Sequence, residues 1–141
     1  MNQDLKYHHI GKVVKSIERQ YTFYKNLGFV VVSGFEKKLI DEKQNVRVGA
    51  VRKGSILIEL LEPFGKNSPI ANFLKNGHGG FHHVCFHCKN LRKTIEIFKE
   101  TFGFRQITPI TVSVWRGRPV VFFISGETDV IELIGSKNEK F

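Results

Sequence analysis

A chain of 141 residues, 41% of them hydrophobic and thirteen of them Phe, can bury one core but not several. No apolar run approaches the roughly 20 residues a membrane helix needs. The N-terminal stretch Met1-Asn2-Gln3-Asp4-Leu5-Lys6 lacks an apolar signal segment, so the expectation is a cytoplasmic protein that engages no membrane. The formal net charge of +9 suits an anionic partner. The basic residues are scattered among apolar ones, however, which favours a solvated surface, with a pull on phosphate- or carboxylate-bearing metabolites, over a nucleic-acid site.

In chain order, residues 7–14 read as a strand. Ser16 is a fair N-cap for a helix carrying Ile17, Tyr21 and Tyr24, which Gly28 closes in the left-handed C′ position. Phe29–Phe35 reads as a Val-rich strand. Val46–Arg52 and Ser55–Glu62 form a hairpin turning near Lys53-Gly54. Ser68 and Pro69 open a short helix through Leu74, and Gly77-His78-Gly79-Gly80 is a flexible hinge. His83–Cys88 is again a strand. Asn90 caps a helix with Leu91, Ile95, Phe98 and Phe102, which Gly103 ends. Strands follow near Phe104–Ile107, Thr111–Trp115, Val120–Ser125 and Asp129–Ile134.

The second half repeats the first. His9 and the residues after it match His83 and its followers at an offset of 74, as do Tyr21 with Ile95 and Tyr24 with Phe98. After one inserted residue, Leu27-Gly28-Phe29 matches Phe102-Gly103-Phe104. Ile58-Glu59-Leu60-Leu61 matches Ile131-Glu132-Leu133-Ile134. The fold class expected is α+β: two βαβββ modules, about 7–64 and 81–135, joined by a linker helix at about 68–76 in one domain spanning 1–141. They would share a curved, partly open mixed sheet, with helices behind it and a metal cleft in front.

Strand parity selects the residues of that cleft. Ile10 and Val14 pack on the helix, so His9 faces the other way. Ile58 and Leu60 share a face, and Glu59 takes the opposite one. By the same argument His83 opposes Val84 and Phe86, and Glu132 opposes Ile131 and Leu133. A lone His or Glu in a strand is ordinarily an edge residue, but four of them on two matched repeat positions point to one site. Two imidazoles and two carboxylates suit a hard or borderline divalent ion, Co, Ni, Mn or Zn, and leave positions open for substrate. Cys85 and Cys88 have the C-x-x-C spacing of zinc and redox sites. Three apart on a strand they face opposite ways, so they are expected to be separate free thiols. His82 is expected in the core or at an edge, His87 in the cleft as a polar neighbour, and His8 and His78 at the surface. Trp115 and Phe123 could wall a substrate pocket, but aromatic residues in strands are more often core.

With His at the start and Glu near the end of each module, the chain resembles the vicinal oxygen chelate (glyoxalase-like) superfamily. His9-Ile10-Gly11, Ile58-Glu59-Leu60-Leu61-Glu62-Pro63, Ser68-Pro69-Ile70-Ala71-Asn72-Phe73-Leu74 and Gly80-Phe81-His82-His83-Val84 are similar to elements of methylmalonyl-CoA epimerases, in the same order. The resemblance implies a metal at His9, Glu59, His83 and Glu132. It also implies enolate chemistry beside a carbonyl, with Glu132 and Glu59 as candidate proton-transfer groups, and an acyl-CoA or other thioester as substrate. A homodimer is compatible with it. Two departures bear on the substrate: Ile124–Asp129 replaces the family's His-Pro and glycine-rich turn, and Val46-Arg47-Val48 lacks the glutamate some epimerases place there. The metal set also resembles that of glyoxalase I-like lyases. A binding module like the drug-sequestering members is the third reading, disfavoured because those commonly lack the metal set.

Overall fold

The computed structural model describes residues 4–141; Met1–Gln3, part of the stretch read for a signal segment, lie outside the described residues. The chain forms two compact units. One comprises residues 9–82, the other residues 83–141 with the described residues up to His8. Three helices and ten strands are present among the described residues, and each unit carries a mixed run of strands, β2-β4-β5-β1 in the first and β6-β10-β9-β7 in the second.

In the unit of residues 9–82, β1 (Lys6–Val13) leads into α1 (Ile17–Asn26). Ser16 caps α1 as its side chain predicts, accepting the Arg19 N–H at 3.2 Å. Leu27 and then Gly28, at φ 88, end it. The apolar stripe of α1 is Ile17, Tyr21 and Tyr24; with Val14, Val51, Ile58 and Leu60 it makes the core of this unit. Tyr21 crosses the sheet at Gly49, where a Cβ would lie 2.5 Å from the Tyr21 hydroxyl oxygen, so no other residue fits beneath the ring. Strands β4 (Val46–Lys53) and β5 (Ile56–Pro63) form the expected antiparallel hairpin, and β5 runs parallel to β1.

Two expectations need correction here. The strand read over Phe29–Phe35 is only β2, Val30–Val31, because Gly34, at φ 92, turns the chain and the Phe35 N–H bonds back to the Val32 carbonyl. A further short strand, β3 (Leu39–Asp41), pairs with β4 and was unread. Helix α2 is Ala71–Gly77, starting later than Ser68, with Ile70 as its uncapped N-terminal neighbour. The hinge after it is built on left-handed backbone at His78, Gly79 and Gly80. A Cβ on Gly79 would meet the Val13 carbonyl oxygen at 2.6 Å.

In the other unit, β6 (Gly80–His87) leads to α3 (Leu91–Glu96), capped by Asn90 through the Lys93 N–H at 3.0 Å. The helix then widens into a π-helical turn over Ile97–Thr101. The single residue inserted between the repeats falls here, after Phe98 and before Phe102, and a π turn is how a helix absorbs one extra residue. Phe98 meets Phe102, Phe104 and Phe123 at ring separations of 5.2–5.4 Å, so the aromatic register survives the insertion. Phe98, Phe123, Leu91, Val121, Leu133 and Cys88 form the core under this helix. Strands β7 (Arg105–Gln106), β8 (Thr111–Val112), β9 (Pro119–Ile124) and β10 (Val130–Ile134) follow. β8 stops well short of Trp115 because residues 114–117 turn, with Arg116 and Gly117 at positive φ. β10 is parallel to β6 and antiparallel to β9.

The first helical N–H in both units is satisfied by a carboxylate from further along the chain. Ile17 N–H donates to Glu62 at 2.6 Å, and Leu91 N–H donates to Glu139 at 2.7 Å. Both carboxylates complement the positive end of their helix.

Candidate metal centre

The two halves solve one problem in the same way. On β1, His9 precedes Gly11, which stands opposite Glu59 in the parallel register. On β6, His83 precedes Cys85, which stands opposite Glu132 in the parallel register. In each case the carboxylate reaches back to the imidazole. His9 Nε2 lies 3.5 Å from Glu59 Oε1, and His83 Nε2 lies 3.1 Å from Glu132 Oε2. The apolar alternation predicted these faces: Ile10, Ile58 and Leu60 pack on one core, and Phe86, Ile131 and Leu133 on the other.

All four residues are buried, His9 beside Glu59 in one unit and His83 beside Glu132 in the other. Buried carboxylates are costly unless paired or coordinating. Glu132 Oε2 is buried and lies 3.1 Å from His83 Nε2. An imidazole nitrogen and a carboxylate oxygen held this close and out of water fit a shared cation. Two carboxylates balance a divalent charge, and the nitrogen and oxygen donors suit Co, Ni, Mn or Zn.

The surroundings are apolar. Ala50 stands opposite Glu59 on β4. Phe122 stands opposite Glu132 on β9, and its ring packs edge-on against His83 at 5.2 Å. Phe123 is fully buried under α3, the core placement that is commoner for a strand aromatic, and strand alternation gives the wall position to Phe122. Trp115 packs on Cys85, Val120 and Ile134. His8, expected at the surface, is half-buried: it packs edge-on against Trp115 at 5.1 Å and lies 3.4 Å from Arg118 Nη1. His78 is exposed, and His82 packs against Phe73. His87 is half-buried; burial, then the charges of Arg118 and Lys6, hold its imidazole below its usual range.

The thiols separate as expected. Cys85 lies in the cluster with Val120 and Ile134, while Cys88 lies under α3 with Leu91 and Phe98, and both are free. Burial pushes the Cys88 thiol up to about 11, so it stays protonated at neutral pH. Residues 124–129 close as a polar loop on the Ser125 hydroxyl, which accepts the Asp129 N–H at 3.1 Å.

Residues 8–122 match the family model of the glyoxalase/bleomycin resistance protein/dioxygenase superfamily. The chain is 35% identical to the mitochondrial methylmalonyl-CoA epimerase of Homo sapiens over 115 residues, 81% of this chain and 63% of the human protein. It therefore spans less than two thirds of that relative's length. A hypothetical protein of Bacillus halodurans C-125 superposes with a TM-score of 0.83 at 29% identity, covering 99% of both chains. A methylmalonyl-CoA epimerase solved in complex with methylmalonyl-CoA and ammonium superposes with a TM-score of 0.81 at 21% identity, covering 95% of this chain and 96% of that one. Together with a mixed open sheet and a buried His/Glu cluster, these likenesses make the chain an epimerase-like member of the glyoxalase/bleomycin resistance protein/dioxygenase superfamily.

Proposed function

We propose that this chain is an enzyme that moves the α-proton of an acyl-CoA thioester, as a methylmalonyl-CoA epimerase does. The observation that carries the reading is the pair of matched His/Glu couples, four buried residues in equivalent places of the two units. A divalent cation held by His9, Glu59, His83 and Glu132 would supply positive charge where an enolate oxygen develops. Glu132 and Glu59 are the proton carriers: one carboxylate takes the α-proton and the other returns it, and two acids from matched positions suit inversion of a stereocentre. On the Glu59 face of β4, Val46, Val48 and Ala50 add no acid, so the proton work falls to these two. Phe122 packs the His83 ring and keeps its surroundings apolar, which strengthens electrostatic effects there.

The test is solvent exchange. Metal-loaded protein incubated in heavy water with methylmalonyl-CoA and a panel of other acyl-CoA thioesters should incorporate deuterium at the α-carbon, followed by NMR. Glu132→Gln should stop this exchange while retaining the wild-type circular dichroism spectrum. Metal-loaded protein that binds these thioesters but exchanges no α-proton in any of them would falsify the reading in favour of a binding protein.

A further inference from the structure

We infer that the turn joining β8 to β9 carries an oxyanion subsite centred on Arg118, which takes a phosphate group of the coenzyme A portion of the substrate; this rests on the acyl-CoA reading above. Phe122 pairs with Glu132 and Val120 with Ile134, so Phe122 and Val120 share the face of Glu132; Arg118, in the turn just before β9, is placed by its contacts with Gly135 and His8. Trp115 packs on Cys85, Val120 and Ile134 of that face, His8 stands edge-on to Trp115, and Arg118 Nη1 lies 3.4 Å from His8 Nε2.

The guanidinium is held in place but not neutralised. Its Nε–H donates to the Gly135 carbonyl at 2.8 Å. Among the described residues no carboxylate makes an ion pair with it. The acid that borders Gly135 is Glu139, and its Oε1 accepts the Leu91 N–H of α3. Burial pulls the Arg118 guanidinium below its ordinary value, and the neighbouring Arg116 pulls in the same direction. A half-buried cation without a counter-charge is costly, and an oxyanion bound across its remaining N–H groups offsets that cost with charge-assisted hydrogen bonds. Arg116, exposed at φ 57 in the same turn, offers a second guanidinium, and Trp115 an aromatic surface.

Distance chooses the anion. Arg118 precedes Phe122 by four residue steps, about 13 Å of extended chain. An acyl carboxylate lies only a few bonds from the α-carbon and stays near Glu132. The phosphates of coenzyme A lie a pantetheine arm away.

Titration calorimetry with free coenzyme A tests the subsite without requiring turnover. Arg118→Gln should weaken binding about tenfold or more, the cost of losing a hydrogen bond to a charged group, and Arg118→Lys should weaken it less. Arg116→Gln, on the exposed side of the turn, should weaken it modestly and guards against an Arg118 variant that folds poorly. Thioesters of the same acyl group on pantetheine, which lacks the phosphates, should bind wild type and Arg118→Gln alike. No binding of coenzyme A by wild type, or equal binding by wild type and all three variants, overturns the subsite. So does an equal loss with the pantetheine thioester, which would assign the anion to the acyl carboxylate. Binding of coenzyme A that depends on Arg118 without any α-proton exchange leaves the subsite standing and sinks the epimerase-like reading instead.

Discussion

At Glu132 a single atom concentrates the chemistry. Its Oε2 is buried and 3.1 Å from an imidazole nitrogen, a place where a cation would balance the carboxylate charge. Replacing Glu132 or Glu59 by Gln keeps the shape and removes one anionic donor. Each substitution should lower divalent-metal affinity by more than the roughly tenfold that loss of a supporting neighbour costs, measured by competition with a chelating dye. Cys88→Ser should leave metal content unchanged, because that thiol lies under α3, among Leu91 and Phe98. The four candidate ligands were legible in the sequence because Glu59 and Glu132 sit between apolar residues of opposite parity, and His9 and His83 stand at matched repeat positions just before one. Phe122, Arg118 and the buried setting of His8 were not. Phe122 and Phe123 are adjacent aromatics, and composition cannot say which one a strand turns inward. Arg118 lies in a turn, where no periodicity sets direction.

Among the elements, the long strands and both capped helices were readable from alternation and from Ser16 and Asn90. β3, with three residues, is too short to show a period, and β2 is cut off by the turn at Gly34. The anchoring of each helix by a distant carboxylate is a tertiary fact with no local signal: Glu62 lies 45 residues from Ile17. Glu62 also receives Lys38 at 3.3 Å and Arg47 at 3.5 Å while itself buried. Glu62→Gln gives up the charge in these contacts and should cost about 1–3 kcal/mol in urea unfolding, against about 1 kcal/mol for Ser16→Ala. If Glu62→Gln unfolds at the wild-type midpoint, the carboxylate does not anchor α1.

For the molecule as a whole, metal binding and folding should be linked. A cation that binds the folded chain alone stabilises it by mass action, about 2.7 kcal/mol at a free concentration one hundred times its dissociation constant. Chelator-treated protein should therefore melt lower than protein refilled with Co, Ni, Mn or Zn, and the gap should close in Glu59→Gln/Glu132→Gln. An equal gap in wild type and double variant would place the bound metal elsewhere. The repeat that made the architecture legible also explains this coupling, since each copy contributes one His and one Glu.

Strand β5 gives that coupling a further meaning. Glu59 and Glu62 are three residues apart on one extended strand, so one carboxylate faces the candidate metal and the other faces the start of α1. A slip of one residue would turn Glu59 into the packed core beneath the helix and withdraw Glu62 from Ile17 in the same movement. Misaligned pairings of β5 thus incur two electrostatic penalties at once, and a chain with an empty metal site still has a reason to fold with that site in register.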